Sequence, residues 1–397
     1  MSYSLAEVAH LITHDAEITA VGRDLPLSRA SMLQDATVLR EHFGDYGRAA
    51  AELLNARRSS VDKLPAGWLA CHDSAQQATP LPVAKVRAAH LKAMLGDTAT
   101  AHDVTCSIGT EGQALAEAGL GYLGSDLDPS RTRMARHNLA ETPHTLIFQA
   151  DALVPATRGA DVILADPARR EGGRRITDPA KLIPPLPDLI DAWPGSELAI
   201  KCAPGLDFSK WEGMVSLSSV AGAVKEACLY TPGLSNGARR EAIMIDRTGQ
   251  VDRLDDRLDQ RAGEDLAAAP GRFIIDPDGA VVRAGLVRHY AVRERLWMLD
   301  ERIAYLTGDR LPEGRSGFEF IEQVPLKKLK GALAAHDCGS LEILVRGVDV
   351  DPDQLRKKLK LRGSKAMTVV CTRIGSLGVA LICGPRVGGT TVEGKTA

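Results

Sequence analysis

The chain has 397 residues, 44% hydrophobic and 25% charged, and its 49 basic and 51 acidic side chains leave a formal net charge of −2. That length can hold two or three domains with full cores, and the composition is that of an ordinary globular protein. The near balance of charge excludes a globally basic nucleic-acid binder, so any basic surface has to be local.

The opening "MSYSLAEVAHLITHDAEI" carries acids and lacks a basic n-region, so no signal peptide is expected. Residues 1–85 read as a helical cap. Within it "SMLQDATVLREHFGDYGRAAAELLNARRSS" spaces its apolar residues by three and four, and "SSVDKLPAG" breaks the pattern. A further amphipathic helix, "PVAKVRAAHLKAML", leads into a glycine-containing turn.

From 101 to about 247 strands alternate with helices. The strand candidates are "HDVTCS", "LGYLGSDLD", "HTLIFQAD", "DVILADPA", "SELAIKCAP", "KEACLYTP" and "REAIMIDRT", with helices expected at 111–119, 129–141 and 178–193. The last two strands follow one another without a helix, which predicts an antiparallel hairpin closing a parallel sheet. The fold class is therefore α/β, a doubly wound sheet whose ligand belongs at the carboxyl ends of its strands.

Residues 251–315 read as a connecting segment: the charged run "QVDRLDDRLDQRAGED", a strand and turn in "GRFIIDPDGAVVRAGLV", and a helix over "HYAVRERLWMLDERIAYL". Residues 316–390 change character. Strands in "FEFIEQVP", "LEILVRGVDV", "MTVVCTRIG" and "GVALICGP", with helices at 325–336 and 352–361, predict a small α+β domain. The tail, 391–397, is expected to be disordered. No stretch approaches the roughly 18 apolar residues of a membrane span. Seven cysteines (71, 106, 202, 228, 338, 371, 383), odd in number and never in a C-x-x-C pair, point to reduced thiols in a cytoplasm.

The chemistry concentrates in "DVTCSIGTEGQALAEAGLGYLGSDLDPSRTRMARHN", residues 103–138. Its turn holds Ser107, Gly109 and Gly112. It is neither G-x-G-x-x-G nor a Walker A, and a tight turn without a ligand would explain it equally well. The later strand ends change the balance. Asp126 closes the second strand, where a carboxylate accepts both hydroxyls of a ribose. Asp151 closes the third, where an acceptor meets an adenine amino group. Asp166 opens "DPARR" after the fourth. Three acids on one sheet edge repel one another unless donors or a ligand fill the gap.

The order D-x-x-x-x-x-G, "GSDLDP", "QAD", "DPARR" resembles class I methyltransferases that use S-adenosylmethionine, over about residues 75–250. More narrowly, "HDSAQQAT", "DVTCSIGTEG", "LADPARR" and "IDPDGAVVRAGLV" resemble a bacterial subfamily with a THUMP-like carboxyl-terminal domain. The stretch "LEILVRGVDVDPDQLRKKLKLRGSKAMTVVCTRIG" is similar to that domain. The resemblance implies a Rossmann-like methyltransferase domain over 86–250 and a THUMP-like domain over 316–390. It gives Asp103 and the backbone of Ser107 to Gly109 to the methionine moiety, Asp126 to the ribose, and Asp151 and Ala152 to the adenine. Asp166 and Pro167 go to the catalytic mouth, and Gln77 either reaches the cofactor from the cap or is a surface glutamine. A Ser107 hydroxyl can also donate to the cofactor carboxylate.

In "DPARR", Ala168 and Arg169 stand where amino-methylating relatives carry a second proline and an aromatic ring. The arginine is closer to the D-P-P-R of enzymes that methylate uracil carbon 5. Those need a cysteine nucleophile after the fifth strand, and "IKCAP" places Cys202 there. The other reading of Cys202 is a small buried residue at a strand end. Asp166 then orients an amino or hydroxyl acceptor, and positioning supplies much of the acceleration.

Two basic clusters complete the picture. "RREGGRR" brings Arg169, Arg170, Arg174 and Arg175 to the mouth, either as phosphate contacts or as a solvated loop. "LRKKLKLRGSK" adds Arg356, Lys357, Lys358, Lys360, Arg362 and Lys365 without an acid among them, either as a nucleic-acid contact or as a solvated helix face. Residues 316 onwards carry 13 basic and 8 acidic side chains, net +5, so the remainder carries −7. A THUMP-like domain implies RNA as the partner. His102, His137, His144, His289 and His336 show no metal-like spacing, so no metal is expected, and with 4% aromatic residues broad base stacking is not expected either. The expected function is a cytoplasmic S-adenosylmethionine-dependent methyltransferase acting on a tRNA or rRNA base. The alternatives are a small-molecule or protein methyltransferase, and a non-catalytic RNA-binding protein that keeps a nucleoside pocket.

Overall fold

The computed structural model describes residues 3–168, 170–171, 174–176, 178–257 and 266–388; the tail 391–397 and Arg169 lie outside them. The chain divides into two compact units, Met1–Arg239 with Ile245–Val251, and Arg240–Met244 with Asp252–Ala397.

The first unit opens with six helices: α1 (Leu5–Thr13), α2 (Asp15–Arg23), α3 (Met32–Phe43), α4 (Gly47–Ser59), α5 (His72–Gln77) and α6 (Leu81–Leu95). Ser4 starts α1 with a capping box closed by Glu7. The apolar faces of these helices bury Leu11, Leu39 and Leu53 in one core that also holds Leu115, Tyr122 and Met134. The helical region and the sheet that follows are thus consolidated together.

That sheet is built from β1 (Thr100–Asp103), α7 (Thr110–Glu117), β2 (Gly121–Asp126), α8 (Pro129–Asn138), β3 (Thr145–Gln149) and β4 (Val162–Ala165). The short strands β5 (Arg170–Glu171) and β6 (Arg174–Arg175) pair only with each other. Then come α9 (Leu186–Ala192), β7 (Leu198–Cys202), β8 (Met214–Val220), β9 (Ala223–Tyr230), β10 (Arg240–Ile245) and β11 (Val251–Asp255). Seven strands of the nine-stranded sheet lie in the order β8-β9-β7-β4-β1-β2-β3, and through the other two, β10 and β11, the chain passes into the second unit. Strands β3, β2, β1, β4 and β7 run parallel, and β9 returns antiparallel on β7.

Two local expectations need correction. The hairpin is β8–β9, not the pair "KEACLYTP" and "REAIMIDRT". Strand β8, "MVSLSSV", was missed because its serines hide the apolar pattern, although Ser216, Ser218 and Ser219 are buried. Its turn is the two-residue loop Ala221-Gly222, both at positive φ (50° and 81°), as tight hairpins require. The helix expected over 178–193 is only α9, because Pro184 and Pro185 lack the N–H that would continue a helix through them.

Gly112 shows what one glycine of the turn is for. A Cβ there would meet the Tyr122 ring at 2.5 Å and Leu139 at 2.8 Å, so it lets α7 pack closely on the sheet. Asn138, at the end of α8, ties the helical region to the turn. Its Oδ1 accepts the Leu69 N–H (2.8 Å), and its Nδ2 donates to the carbonyls of Leu69 and Ile108 (both 3.0 Å).

The second unit continues with β12 (Phe273–Ile275), α10 (Gly279–Ala284), α11 (Val287–Glu294), β13 (Trp297–Asp300), β14 (Ile303–Gly308), β15 (Ser316–Pro325), α12 (Leu329–Ala335), β16 (Cys338–Val345), α13 (Pro352–Leu359), β17 (Lys365–Ile374) and β18 (Leu377–Gly388). Its seven-stranded sheet has the order β13-β14-β12-β15-β18-β17-β16, so the segment read as a connection contributes three strands. The helix expected over "HYAVRERLWMLDERIAYL" stops at Glu294, where Arg295 takes a left-handed φ of 56°. The rest is the β13–β14 hairpin, whose turn is set by the Asp300 carboxylate accepting the Arg302 N–H at 2.8 Å. Leu329 and Leu333 of α12 and Leu359 of α13 pack against Met367, Val369 and Ile382 of the sheet.

Asn138→Ala leaves both backbone groups of Leu69 without these partners. We expect a loss of about 2–4 kcal/mol in a urea titration, with secondary structure unchanged.

Candidate functional site

The turn after β1 is shaped by one carboxylate. Asp126, at the end of β2, accepts the Ser107 N–H on Oδ2 and the Asp128 N–H on Oδ1, both at 3.0 Å. Ser107 sits at φ 50° and Gly109 at φ 93°. The serine therefore adopts the left-handed conformation that a glycine would take more cheaply, a local strain of about 1 kcal/mol. Burial raises the pKa of Asp126. Each carboxylate oxygen has two lone pairs, so two acceptances are left after the backbone is satisfied. That is the donor demand of a vicinal diol. Asp128 has a different role, since it caps α8 by accepting the N–H groups of Ser130 and Arg131.

On the next strand, Ala150 donates its N–H to the Asp126 carbonyl at 3.3 Å, which sets the 151–152 segment beside this acid. Asp151 is exposed and accepts the Leu153 N–H at 2.9 Å. Ala152 is buried, and its carbonyl accepts the Trp193 indole N–H at 2.8 Å. Leu127 directly follows Asp126 and is 66% exposed, an apolar surface at the strand tip that residue reading overlooked. Its only signal was its position in "GSDLDP".

Asp103, at the end of β1, is buried. It accepts the Thr105 N–H (3.1 Å) and the Tyr122 hydroxyl (3.2 Å). Burial and then the nearby Glu111 push its pKa up to about 7, against the opposing pull of Lys201. Thr105 links this acid to the next one, because its Oγ1 accepts the Asp166 N–H at 2.6 Å.

The largest feature was not foreseen. The Asp166 carboxylate lies 2.8 Å from Lys201 Nζ, which is also 3.3 Å from Glu111 Oε1. Glu111, in the first turn of α7, is held in two places by Arg87 of α6 (3.1 and 3.2 Å). Arg87 also reaches Glu226 of β9 at 2.5 Å, and Glu226 accepts the Thr79 hydroxyl at 3.3 Å. Charges alternate along this chain: Glu226, Arg87, Glu111, Lys201, Asp166. Side-chain exposure is 3–6% for the first four and 23% for Asp166. Burial opposes the charge of Glu111, but Arg87 and Lys201 outweigh it and hold its pKa down at about 2. Burial likewise opposes the charge of Lys201, and Asp166 and Glu111 overcome it and raise its pKa.

The remaining expected residues are placed as follows. Pro167 is buried, and Ala168 exchanges backbone hydrogen bonds with Ile183. Cys202 is completely buried. Gln77 is exposed at the end of α5. Arg170, Arg174 and Arg175 lie on the β5–β6 pair, of which only the backbone is described. His102 bonds Ser125 (3.0 Å) and Thr157 (2.7 Å), and burial lowers its pKa to about 4. No described helix is long and apolar enough to cross a membrane.

Parallel strands with acids at four of their tips, beside a strained glycine turn, form the arrangement of a nucleoside-binding α/β protein. The family described as THUMP domain-like matches residues 315–385. Two uncharacterised S-adenosylmethionine-dependent methyltransferases of Mycobacterium tuberculosis, from strains CDC 1551 / Oshkosh and ATCC 25618 / H37Rv, are 45% identical over 356 residues, covering 85% of this chain and 96% of each relative. A crystal structure from Porphyromonas gingivalis W83, provisionally classed as a methyltransferase, superposes with a TM-score of 0.67 at 17% identity, over 93% of this chain and 98% of that one. That likeness is one of fold. The chain belongs to the S-adenosylmethionine-dependent methyltransferases, and it carries a THUMP domain-like region in its second unit.

Removing Arg87 would take the cation from buried Glu226 and the two-point contact from Glu111, so Arg87→Met should destabilise the protein by about 3–5 kcal/mol at neutral pH. Equilibrium unfolding in urea measures it, and a loss below about 1 kcal/mol would show that the chain of charges is not cooperative.

Proposed function

We propose that this methyltransferase acts on RNA, with the cofactor at the β1–β4 tips and the second unit holding the polynucleotide. The observation that carries the RNA reading is the cationic surface of α13 and the residues after it. Arg356, Lys357, Lys358, Lys360, Arg362 and Lys365 are all exposed, and they fall inside the THUMP domain-like match. Arg356 pairs with Asp353 at 3.1 Å, an exposed contact of little energetic weight. This unit is locally basic on a chain whose net charge is −2, as an appended RNA-binding region would be. All seven cysteines are buried thiols outside any disulfide, which supports a reducing, cytoplasmic setting.

The cofactor supplies an electrophilic methyl group on a sulfonium, so the protein's task is to bind, orient and exclude water. Asp126 accepts the ribose hydroxyls with the lone pairs its two backbone bonds leave. Asp151 and Ala152 face the adenine, beside the apolar Leu127. Asp103 and the turn from Ser107 to Gly109 hold the methionine moiety. Asp166 and Pro167 line the acceptor side, where the Asp166 carboxylate aligns an N–H or O–H of the incoming base. The complete enclosure of Cys202 favours direct transfer over a covalent route.

Incubation with methyl-labelled cofactor and total RNA, followed by nucleoside mass spectrometry, tests the substrate. Label confined to protein or small molecules would overturn it. Replacing Lys357, Lys358 and Lys360 together by Gln should weaken RNA binding and reduce the slope of log K against log salt by about 2–3, with cofactor affinity unchanged.

Asp103 gives a second test. It is a buried acid with a pKa near 7. An ammonium placed beside it favours the ionised form and lowers that pKa. Cofactor binding should therefore release a proton from Asp103 between about pH 5 and 7, and none well above that window. Calorimetric titration at pH 6.5 in buffers of different ionisation enthalpy measures the release. Asp103→Asn should abolish it.

A further inference from the structure

We propose that Lys201 is the positioning residue for the Asp166 carboxylate, an ammonium fixed beneath the transfer site and held there by Glu111, Arg87 and Glu226. The proposal rests on the placement of Asp166 at the acceptor side, but not on RNA being the acceptor.

Two bonds fix Asp166 from both ends. Its backbone N–H is held by Thr105 Oγ1 at 2.6 Å, and its Oδ2 by Lys201 Nζ at 2.8 Å. A lysine is a poor positioning group when its four-carbon stem is free to move. Here the stem rises from the central strand β7, and the residue is only 5% exposed. The ammonium is shared with Glu111 at 3.3 Å, and Glu111 is locked by the two-point contact with Arg87. Each link in the chain immobilises the next.

A purely structural role explains this arrangement poorly. Apolar residues of similar volume join a helix to a strand at least as well as buried ions do. The chain also has a direction. Its far end closes on the Thr79 hydroxyl, in the "QQAT" stretch, and its near end is the single group with appreciable solvent access. Asp166 is therefore the member of the file that solvent and an acceptor can reach. Lys201 does not serve as a base, because its neighbours keep it protonated. It acts through Asp166, by holding one carboxylate oxygen so that the group keeps a single orientation towards the acceptor. Misplacement by about 1 Å is enough to cost about 100-fold in rate.

The test is a kinetic double-mutant cycle on the full-length protein with Lys201→Met, Asp166→Asn and the double variant. Methyl-labelled cofactor is offered to two separate acceptor pools from a bacterial extract, purified total RNA and the RNA-free remainder. Label only in the remainder refutes the RNA reading, and the cycle is then run in that pool. For Lys201→Met we expect kcat to fall by about 100-fold, with the KM for acceptor and the cofactor Kd within about threefold of wild type. Adding Asp166→Asn to Lys201→Met should then cost less than about threefold more, because both changes remove the same alignment. Multiplicative losses would mean that Lys201 does not act through Asp166 and would overturn the proposal. So would an unchanged kcat, a cofactor Kd weakened by about tenfold or more, or the absence of transfer by wild type to either pool. Thermal melting reports folding. If Lys201→Met does not fold, Lys201→Arg carries the same cycle: it keeps the charge but moves the donor atoms, and the same non-multiplicative pattern is required.

Discussion

The first unit is organised around buried ions of alternating sign. Three carboxylates and two cations lie in one file from Glu226 to Asp166, and four of the five side chains are almost fully enclosed. Taking an ion out of water costs several kcal/mol, and only close, hydrogen-bonded partners return that. The file therefore holds only if every member is present. It also joins elements that are far apart in the chain: α6 through Arg87, α7 through Glu111, β7 through Lys201, and the antiparallel β9 through Glu226. The antiparallel β9, next to the parallel strands, is thus coupled to the strand tips. Hydrophobic packing alone would allow these elements to shift against one another by small amounts, whereas a two-point guanidinium–carboxylate contact allows very little.

Beside this file stands Asp103, and the contrast is informative. Glu111 has two cations of its own and is ionised down to a pKa of about 2, while Asp103 is pushed up to about 7. Acids driven apart in this way are concentrated at active sites. Asp103 is buried next to carboxylates, and its own partners are a hydroxyl and an amide. It lacks the dedicated cation that Glu111 has in Arg87. A positively charged ligand group would remove that deficit, which supports giving Asp103 to the methionine end of the cofactor.

Much of this was legible in the residues. Strand ends closing on acids are visible because a carboxylate after an apolar run interrupts the pattern; Thr105 joins Asp103 to Asp166, and Asp126 holds Ser107. The four strands after 316 were legible as short, β-branched apolar runs. The β8 strand was not, since "MVSLSSV" buries serines that composition assigns to the surface, and its Ala-Gly turn lacks the usual Asn or Asp. Nor was the β13–β14 hairpin, because "WMLDERIAYL" fits a helical repeat until Asp300 turns the chain. The charged file was half visible: a lysine inside "LAIKCAP" is anomalous in a buried strand. Its partners are not, because Glu111 and Arg87 look like ordinary surface charges on helices, and only tertiary contact brings Glu226 to Arg87 across 139 positions. Gly112 had a plain reading as a ligand-contact glycine, yet the Tyr122 ring accounts for it.

The neighbours Lys201 and Cys202 bear on the kind of transfer. Successive side chains of a strand point to opposite faces, so only one of the two can look towards Asp166. That one is Lys201, at 2.8 Å. Cys202 pairs in register with Ala227 of β9 and has no solvent access. A covalent route needs a sulfur that reaches a ring carbon, and complete enclosure denies Cys202 that reach. Direct transfer asks for less: an acceptor atom held in line with the methyl group and a carboxylate that does not move. On the proposed role of Asp166, the buried file supplies the second of these, since four enclosed charges hold one oxygen of the fifth in place.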